Sequence, residues 1–280
     1  VSGRRRLSLA HSPDSDDAFM FYGLASGHVP SGDVELEHVL CDIETLNRAA
    51  RDGVHDVTAI SFHAYPSVAD KYALMPCGGS IGDGYGPLVV AREPLAPEQI
   101  ERLEVAVPGT LTTAYLALRL FAPEVRTRVV PFDRILDEVR EGRAEAGLII
   151  HEGQLTYRGQ GLHRVLDLGE WWKRETSLPL PLGGNAVRRQ LGGDMMRALT
   201  RLVRETVRYS LAHRTDALRY AMTFARGMDP GVADRFVGLW VNDMTVDCGE
   251  VGRRAVQALL DRGHEAGVIP TRTRVDFVDA

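Results

Sequence analysis

The chain has 280 residues, 44% hydrophobic and 25% charged, enough for one large core or two smaller ones. Its formal net charge is -5, and Arg4-Arg5-Arg6 is its compact basic run, so a nucleic-acid footprint is not expected. No apolar run approaches the ~20 residues that cross a bilayer, so no membrane span is expected. Cys41, Cys77 and Cys248 are far apart, odd in number and in no CxxC or zinc spacing. They predict neither a disulfide framework nor a metal centre and favour a reducing, cytoplasmic setting. No secretory leader pattern is visible, although a chain starting at Val1 is compatible with a removed one.

In chain order, residues 7–10 read as a first strand and His11-Ser12-Pro13-Asp14 as a turn. Ser15 or Asp16 then caps a helix that carries Ala18, Tyr22 and Ala25 on one face. Residues 34–40 alternate as a second strand, 43–51 form a short helix with Leu46, Ala49 and Ala50 inward, and 57–60 are a third strand. Ser61-Phe62-His63-Ala64-Tyr65 opens the next helix. The glycine-rich stretch 78–86 reads as flexible and 87–91 as a strand.

A second α/β series follows. It has a helix at 96–102, a strand at 103–107, a Pro108-Gly109-Thr110 loop and a helix on Ala114, Ala117, Leu118 and Phe121. A strand at 128–130, a helix on Ile135, Leu136 and Val139, and a strand at 146–150 complete it. Pro179, Pro181, Gly183 and Gly184 mark a return crossing. Beyond it the chain is helical: Met196 to Leu211 at helical spacing, then 216–225, a helix starting at Pro230, and 250–262 before a loose tail from Pro270.

The expected architecture is α/β and two-lobed, with a ligand cleft between the lobes. Residues 1–88 and 186–280 form the first lobe, and residues 89–185 are an inserted second lobe.

Ligands of open α/β sheets collect beyond the carboxyl ends of the strands. There the run 147–150 ends in His151-Glu152-Gly153, an imidazole able to move a proton near neutral pH and a carboxylate beside it. Glu152 is followed by Gly153-Gln154-Leu155, so the HExxH of a zinc peptidase is absent. Ser12, Asp14, Asp16 and Asp17 cluster after the first strand, where helix capping and substrate contact account for them better than magnesium does.

Ser61 and Thr112-Thr113 open helices in different lobes, where hydroxyls join orphan N–H groups as a carboxylate receptor; ordinary N-capping is the alternative. The loop 109–113 lacks the lysine of a Walker loop, and no GxGxxG follows the first strand. Tyr157 is a candidate wall for an aromatic substrate and Tyr85 a weaker one. Trp171-Trp172 either lines the cleft or seals the lobe junction, and His63 is an alternative acid or base.

Several blocks together resemble the 1,4-dihydroxy-6-naphthoate synthase family. They are residues 12–19 (SPDSDDAF), 61–65 (SFHAY), 86–90 (GPLVV), 112–116 (TTAYL), 146–153 (AGLIIHEG), 167–172 (DLGEWW) and 178–184 (LPLPLGG). The resemblance implies a type II periplasmic-binding-protein-like fold in a cytoplasmic enzyme of menaquinone biosynthesis by the futalosine route. It implies conversion of cyclic dehypoxanthine futalosine to 1,4-dihydroxy-6-naphthoate without redox cofactor or metal. His151 falls on the family's general base, and Ser61, Thr112 and Thr113 fall on its pocket hydroxyls.

The first block departs from the family's Ser-Pro-Cys-Pro-Asn-Asp-Thr, with Asp14 in place of an uncharged residue and Ala18 in place of a hydroxyl. Asp14, Ser61, Thr112, Thr113, Glu152 and Tyr157 are therefore expected around a small carboxylate substrate, in a monomer or weak dimer. The alternatives are a solute-binding protein for a small carboxylate and the chorismate dehydratase of the same pathway.

Overall fold

Periodic apolar residues build two sheets, seen in a computed structural model that describes residues 4–224 and 229–280. The first contains β1 (Arg5–His11), β2 (Val34–Leu40), β3 (Val57–Ser61), β4 (Tyr72–Leu74) and β5 (Ser80–Gly82). The second contains β6 (Leu88–Ala91), β7 (Glu104–Val107), β8 (Arg126–Val129), β9 (Ala146–Ile149) and β10 (His163–Asp167). Strand β11 (Leu180–Arg188) returns to the first sheet, giving the orders β2-β1-β3-β11-β4, with β5 on β11, and β10-β6-β9-β7-β8. In each sheet three strands run parallel (β2, β1, β3 and β8, β7, β9), and an antiparallel strand then joins β3 or β9. This is the two-lobed α/β architecture expected from the sequence.

The helices are α1 (Ser15–Met20), α2 (Tyr22–Ala25), α3 (Ile43–Arg51), α4 (Thr113–Phe121), α5 (Ile135–Arg140), α6 (Gly153–Thr156) and α7 (Leu168–Thr176). After β11 come α8 (Gly193–Ala212), α9 (Arg214–Ala221), α10 (Pro230–Trp240), α11 (Asp243–Val246) and α12 (Gly249–Glu265). The expected end of α9 at Ala225 lies outside the described residues. Residues 62–67 and 97–102 wind as 3₁₀ turns rather than α-helices, and Pro66 removes a backbone donor from the first.

The segment around Pro181, Gly183 and Gly184 is not a crossing loop. It is the first half of β11, paired with β5 and β3, so the expected division at 185/186 falls inside a strand. A side chain at Gly183 would stand 3.0 Å from the Ile60 carbonyl, and one at Gly184 would stand 3.1 Å from the Phe62 ring. These glycines let neighbouring backbone approach, and a register shift between Pro181 and Gly183 absorbs the proline. The stretch 78–86, expected to be flexible, contributes β5. The tail is pinned as well: Phe277 bridges to Leu74, Val278 donates to the Leu74 carbonyl, and both side chains are buried.

One buried core runs behind the cleft through both lobes. Ile60, Tyr65 and Leu74 of the first meet Val89, Leu116 and Leu148 of the second, with Trp172 and the α12 residues Val256 and Leu259 between them. Trp172 is fully buried, donates from Nε1 to the Pro179 carbonyl at 3.0 Å, and lies under the Arg262 guanidinium. Trp171 packs edge-on against Phe121. Trp172 therefore seals the junction, while Trp171 lies half-buried on the second lobe beside Pro97 and Arg164.

Candidate active site

The carboxyl ends of β1, β3, β7 and β9 converge on a cavity of about 130 Å³ between the lobes. Ser12, Asp14, Asp16 and Asp17 line it after β1, Ser61 ends β3, Thr112, Thr113 and Ala114 open α4, and Ile150 follows β9. Its volume is below the roughly 300–1,000 Å³ of typical small-molecule sites. Bonds across the cleft draw it shut. The Glu44 carboxylate of α3 accepts Leu111 N–H at 3.0 Å, Ser15 Oγ donates to Glu152 at 3.2 Å, and His63 N–H donates to Thr113 Oγ1 at 3.1 Å. A side chain at Gly109 would stand 2.3 Å from the Glu44 carboxylate, so glycine lets the loop close around that carboxylate as it lies.

The three candidate hydroxyls differ in what they have left to offer. Thr112 is the N-cap of α4: its Oγ1 accepts Tyr115 N–H at 3.2 Å and donates to the Gly109 carbonyl at 2.9 Å. Its expected role as a free substrate donor is thus corrected, because the cap consumes both functions of the hydroxyl. Thr113 Oγ1 accepts from His63 N–H, and Ser61 Oγ accepts from Asn47 Nδ2 at 3.0 Å. Both keep their hydroxyl hydrogens for a ligand. The N–H groups of Thr113 and Ala114 lie in the first turn of α4, where no intrahelical acceptor exists.

Asn47 and Trp240 were missed by sequence reasoning. Asn47 shares the inward face of α3 with Ile43, Leu46 and Ala50, and an amide on an apolar face was a readable signal. It holds Ser61 from both sides, since its Oδ1 accepts Ser61 N–H at 2.8 Å. Trp240, at the end of α10, is buried on the cavity wall, and its Nε1 has no hydrogen-bond partner. Nothing local in the sequence tied the distant α10 to this wall.

His151 and Glu152 stand behind Ile150 rather than on the cavity lining, with side chains 12% and 17% exposed. His151 Nε2–H donates to the Phe132 carbonyl at 2.9 Å, and Nδ1 accepts Gly153 N–H at 3.1 Å, which fixes the tautomer. A Glu152 oxygen lies 3.6 Å from Nδ1. Tyr157 is not a cleft wall: it is buried in the second-lobe core with Leu88, Ile149 and Leu162, and its hydroxyl accepts from Arg158. Tyr85 donates its hydroxyl to the Leu239 carbonyl and packs edge-on against Trp240, supporting the wall from behind.

The floor is acidic. Asp14 accepts Ser12 Oγ–H at 2.6 Å, so its carboxylate turns toward its own loop, and Asp17 accepts Ser12 N–H at 2.8 Å. Burial pushes the Asp17 carboxyl up to about 7, the Ser12 N–H opposes this, and the charge of Asp14 adds to it. Asp16 is also held well above the usual carboxylate range, first by burial and then by the charges of Asp17, Asp14 and Glu152. Near neutral pH the cluster therefore retains protons and can donate hydrogen bonds. Among the described residues, no group of three or more His, Cys, Asp or Glu side chains is arranged to hold a metal ion.

The sign of the stability effect follows from linkage. Between about pH 4 and pH 7 the folded Asp17 keeps a proton that the unfolded chain has released, so stability falls as pH rises through that window. Asp17→Asn keeps the oxygen that accepts from Ser12 and removes the titration. It should gain on the parent by on the order of 2 kcal/mol between pH 5 and pH 8 in denaturant titrations. A difference that does not change with pH would exclude a retained proton at Asp17.

Residues 7–265 match the family described as menaquinone biosynthesis. The chain is 46% identical over 272 residues to a 1,4-dihydroxy-6-naphthoate synthase of Thermus thermophilus, covering 97% of this chain and 99% of the relative. It is 42% identical over 270 residues to the enzyme of that name from Streptomyces coelicolor, covering 94% and 95% respectively. A crystal structure of an Archaeoglobus fulgidus protein superposes with a TM-score of 0.91 at 43% identity, covering 94% of this chain and 98% of that one. The alkanesulfonate-binding protein of Xanthomonas axonopodis pv. citri reaches a TM-score of 0.74 at 11% identity, covering 98% of each chain, a likeness of fold alone.

No helix among the described residues is long and apolar enough to cross a membrane. With full-length relatives at this identity, the chain belongs to the menaquinone-biosynthesis family and is an enzyme of the 1,4-dihydroxy-6-naphthoate synthase type.

Proposed function

We propose that this enzyme acts in the futalosine route, converting cyclic dehypoxanthine futalosine to 1,4-dihydroxy-6-naphthoate as a carbon–carbon lyase. The observation that carries the reading is the receptor at the lobe junction. The hydroxyls of Ser61 and Thr113, from opposite lobes, and the orphan N–H groups of Thr113 and Ala114 surround one cavity. Such a set takes a carboxylate without an Arg or Lys.

In this reading the substrate reaches past Ile150 to His151 Nδ1, which is the base because Nε2–H is committed to the Phe132 carbonyl; Nδ1 exchanges the Gly153 N–H for the substrate proton. Glu152 lies close enough to stabilise the positive charge that transfer places on the ring. Protonated carboxyls on the floor donate to the developing oxyanion. Collapse releases the sugar-derived fragment, and aromatisation of the ring supplies the driving force.

The direct test is incubation with cyclic dehypoxanthine futalosine and, separately, with chorismate, followed by identification of the product. The naphthoate from the first substrate supports the reading. Turnover of chorismate alone would replace it with the dehydratase, and tight binding without turnover of either would replace it with a solute-binding role.

The carboxylate receptor has its own test. Ser61→Ala and Thr113→Val should each weaken selection for the acid over its methyl ester, by about 1.5–3 kcal/mol for a lost bond to a charged group. Thr113→Ser should restore the parent value. Unchanged discrimination in both variants would remove the carboxylate from this end of the cleft.

A further inference from the structure

A second cavity, of about 430 Å³, lies on the far side of the loop that opens α4. Arg51, His63, Ser67, Tyr115, Arg119 and Thr271 are among its lining residues, and no Asp or Glu is. The two guanidiniums have no ion pair among the described residues. Arg119 Nε is buried and has no hydrogen-bond partner, and Arg51 Nε reaches only Ser67 Oγ, at 3.4 Å.

Two unbalanced guanidiniums on one concave wall, one with a buried orphan donor, call for an anion. Their planar forks match the paired oxygens of an oxyanion. His63 narrows the choice. Its Nδ1–H donates to the Thr112 carbonyl at 3.2 Å and its ring stacks on Tyr115, so Nε2 is left as an acceptor. Hydrogen phosphate presents charged oxygens to the arginines and still carries an O–H for that nitrogen. Sulfate near neutral pH does not.

We propose that this cavity is a binding site for a phosphate group, distinct from the central cleft, and that its occupant steadies the opening of α4. The coupling is structural. Thr110 and Leu111 line the second cavity, Thr112 to Ala114 line the cleft, and His63 grips both Thr112 and Thr113. A phosphate held by Arg51 and Arg119 would therefore fix the first turn of α4, where the substrate carboxylate is received.

The test is calorimetric titration of the intact enzyme with inorganic phosphate and with glycerol 3-phosphate, at matched ionic strength. Sulfate serves as the comparison. At about pH 5.5, where the ester as well as inorganic phosphate still carries a P–O–H, either should bind at one site, at least ten-fold tighter than sulfate. Tighter binding of the ester marks an esterified ligand, and tighter binding of free phosphate marks the ion itself; either supports the site.

Arg119→Gln should weaken binding at least ten-fold, and the Arg51→Gln, Arg119→Gln double variant should abolish it while leaving kcat without phosphate unchanged. Saturating phosphate should lower the parent's KM two- to five-fold and leave that of the double variant unmoved. No heat with either phosphate probe, equal binding of sulfate, or full binding by the double variant would overturn the site. A parent KM that phosphate does not move would overturn the coupling, and because binding is read without substrate, neither result depends on which substrate the cleft takes.

Discussion

His151→Ala is expected to stay folded while its kcat falls about 100- to 10,000-fold, the range of general base catalysis. The imidazole ties residue 151 to Phe132 and Gly153, so its loss also removes two hydrogen bonds to backbone. Those are worth roughly 0.5–1.5 kcal/mol each, or a few degrees in Tm for a chain of this size. Measuring kcat and Tm on the same preparation separates the two effects. Glu152→Gln adds a second check: it leaves the imidazole in place, and a kcat loss smaller than that of His151→Ala would mark it as support. Near-normal kcat in His151→Ala would remove the imidazole from the chemistry and shift attention to the carboxyls of the floor.

The largest loss of stability is expected at Gly169. A side chain there would stand 2.0 Å from both the carbonyl carbon and the oxygen of Tyr85 and 2.5 Å from Gly86 N, so backbone would have to move. The reverse is also tight, since a side chain at Gly86 would stand 2.8 Å from Gly169 N. Leu168 N–H donates to the Pro87 carbonyl at 3.0 Å, and the Asp167 side chain caps α7 by accepting from Gly169 and Glu170, so neither strand of chain is free to yield. Gly169→Ala should cost about 3 kcal/mol or more, seen as a drop of roughly 6–12 °C in Tm. Gly159→Ala, where an added side chain meets nothing within 4 Å, serves as the neutral comparison. A Gly169→Ala protein melting with the parent would show that the contact relaxes without strain.

Close backbone approach at glycines, in β11 at Gly183 and Gly184, also explains why some of the fold was legible and some was not. Strands such as 34–40 and 57–60, and the helix 43–51, follow directly from period and capping, and the structure places them there, with the third strand running one residue further to Ser61. Strand β11 did not read as a strand, because its proline and paired glycines serve close backbone approach in the middle of a sheet. That pressure comes from neighbours more than 100 residues away in sequence. The site divides in the same manner. Ser61 and Thr113 could be placed at the cavity wall from sequence because strand-to-helix turns announce helix termini. Thr112 was overrated because a cap and a ligand donor look alike until the acceptor is seen. Tyr157 was misplaced because one helical turn decides whether a ring faces cleft or core, and its sequence neighbourhood does not fix that rotation.

The core that runs behind the cleft has a consequence for how the molecule comes apart. Because Leu116, Trp172 and Val256 are buried together with Ile60 and Tyr65, part of each lobe's hydrophobic interior is shared with the other. A fragment such as 88–179, cut out as if it were a module, would expose the face that the remainder covers. Heating should therefore give one endotherm with matching calorimetric and van't Hoff enthalpies, rather than two staggered ones. Any motion of one lobe against the other must then be a flexing of a single cooperative body about this shared interior, not the swing of two independently stable halves.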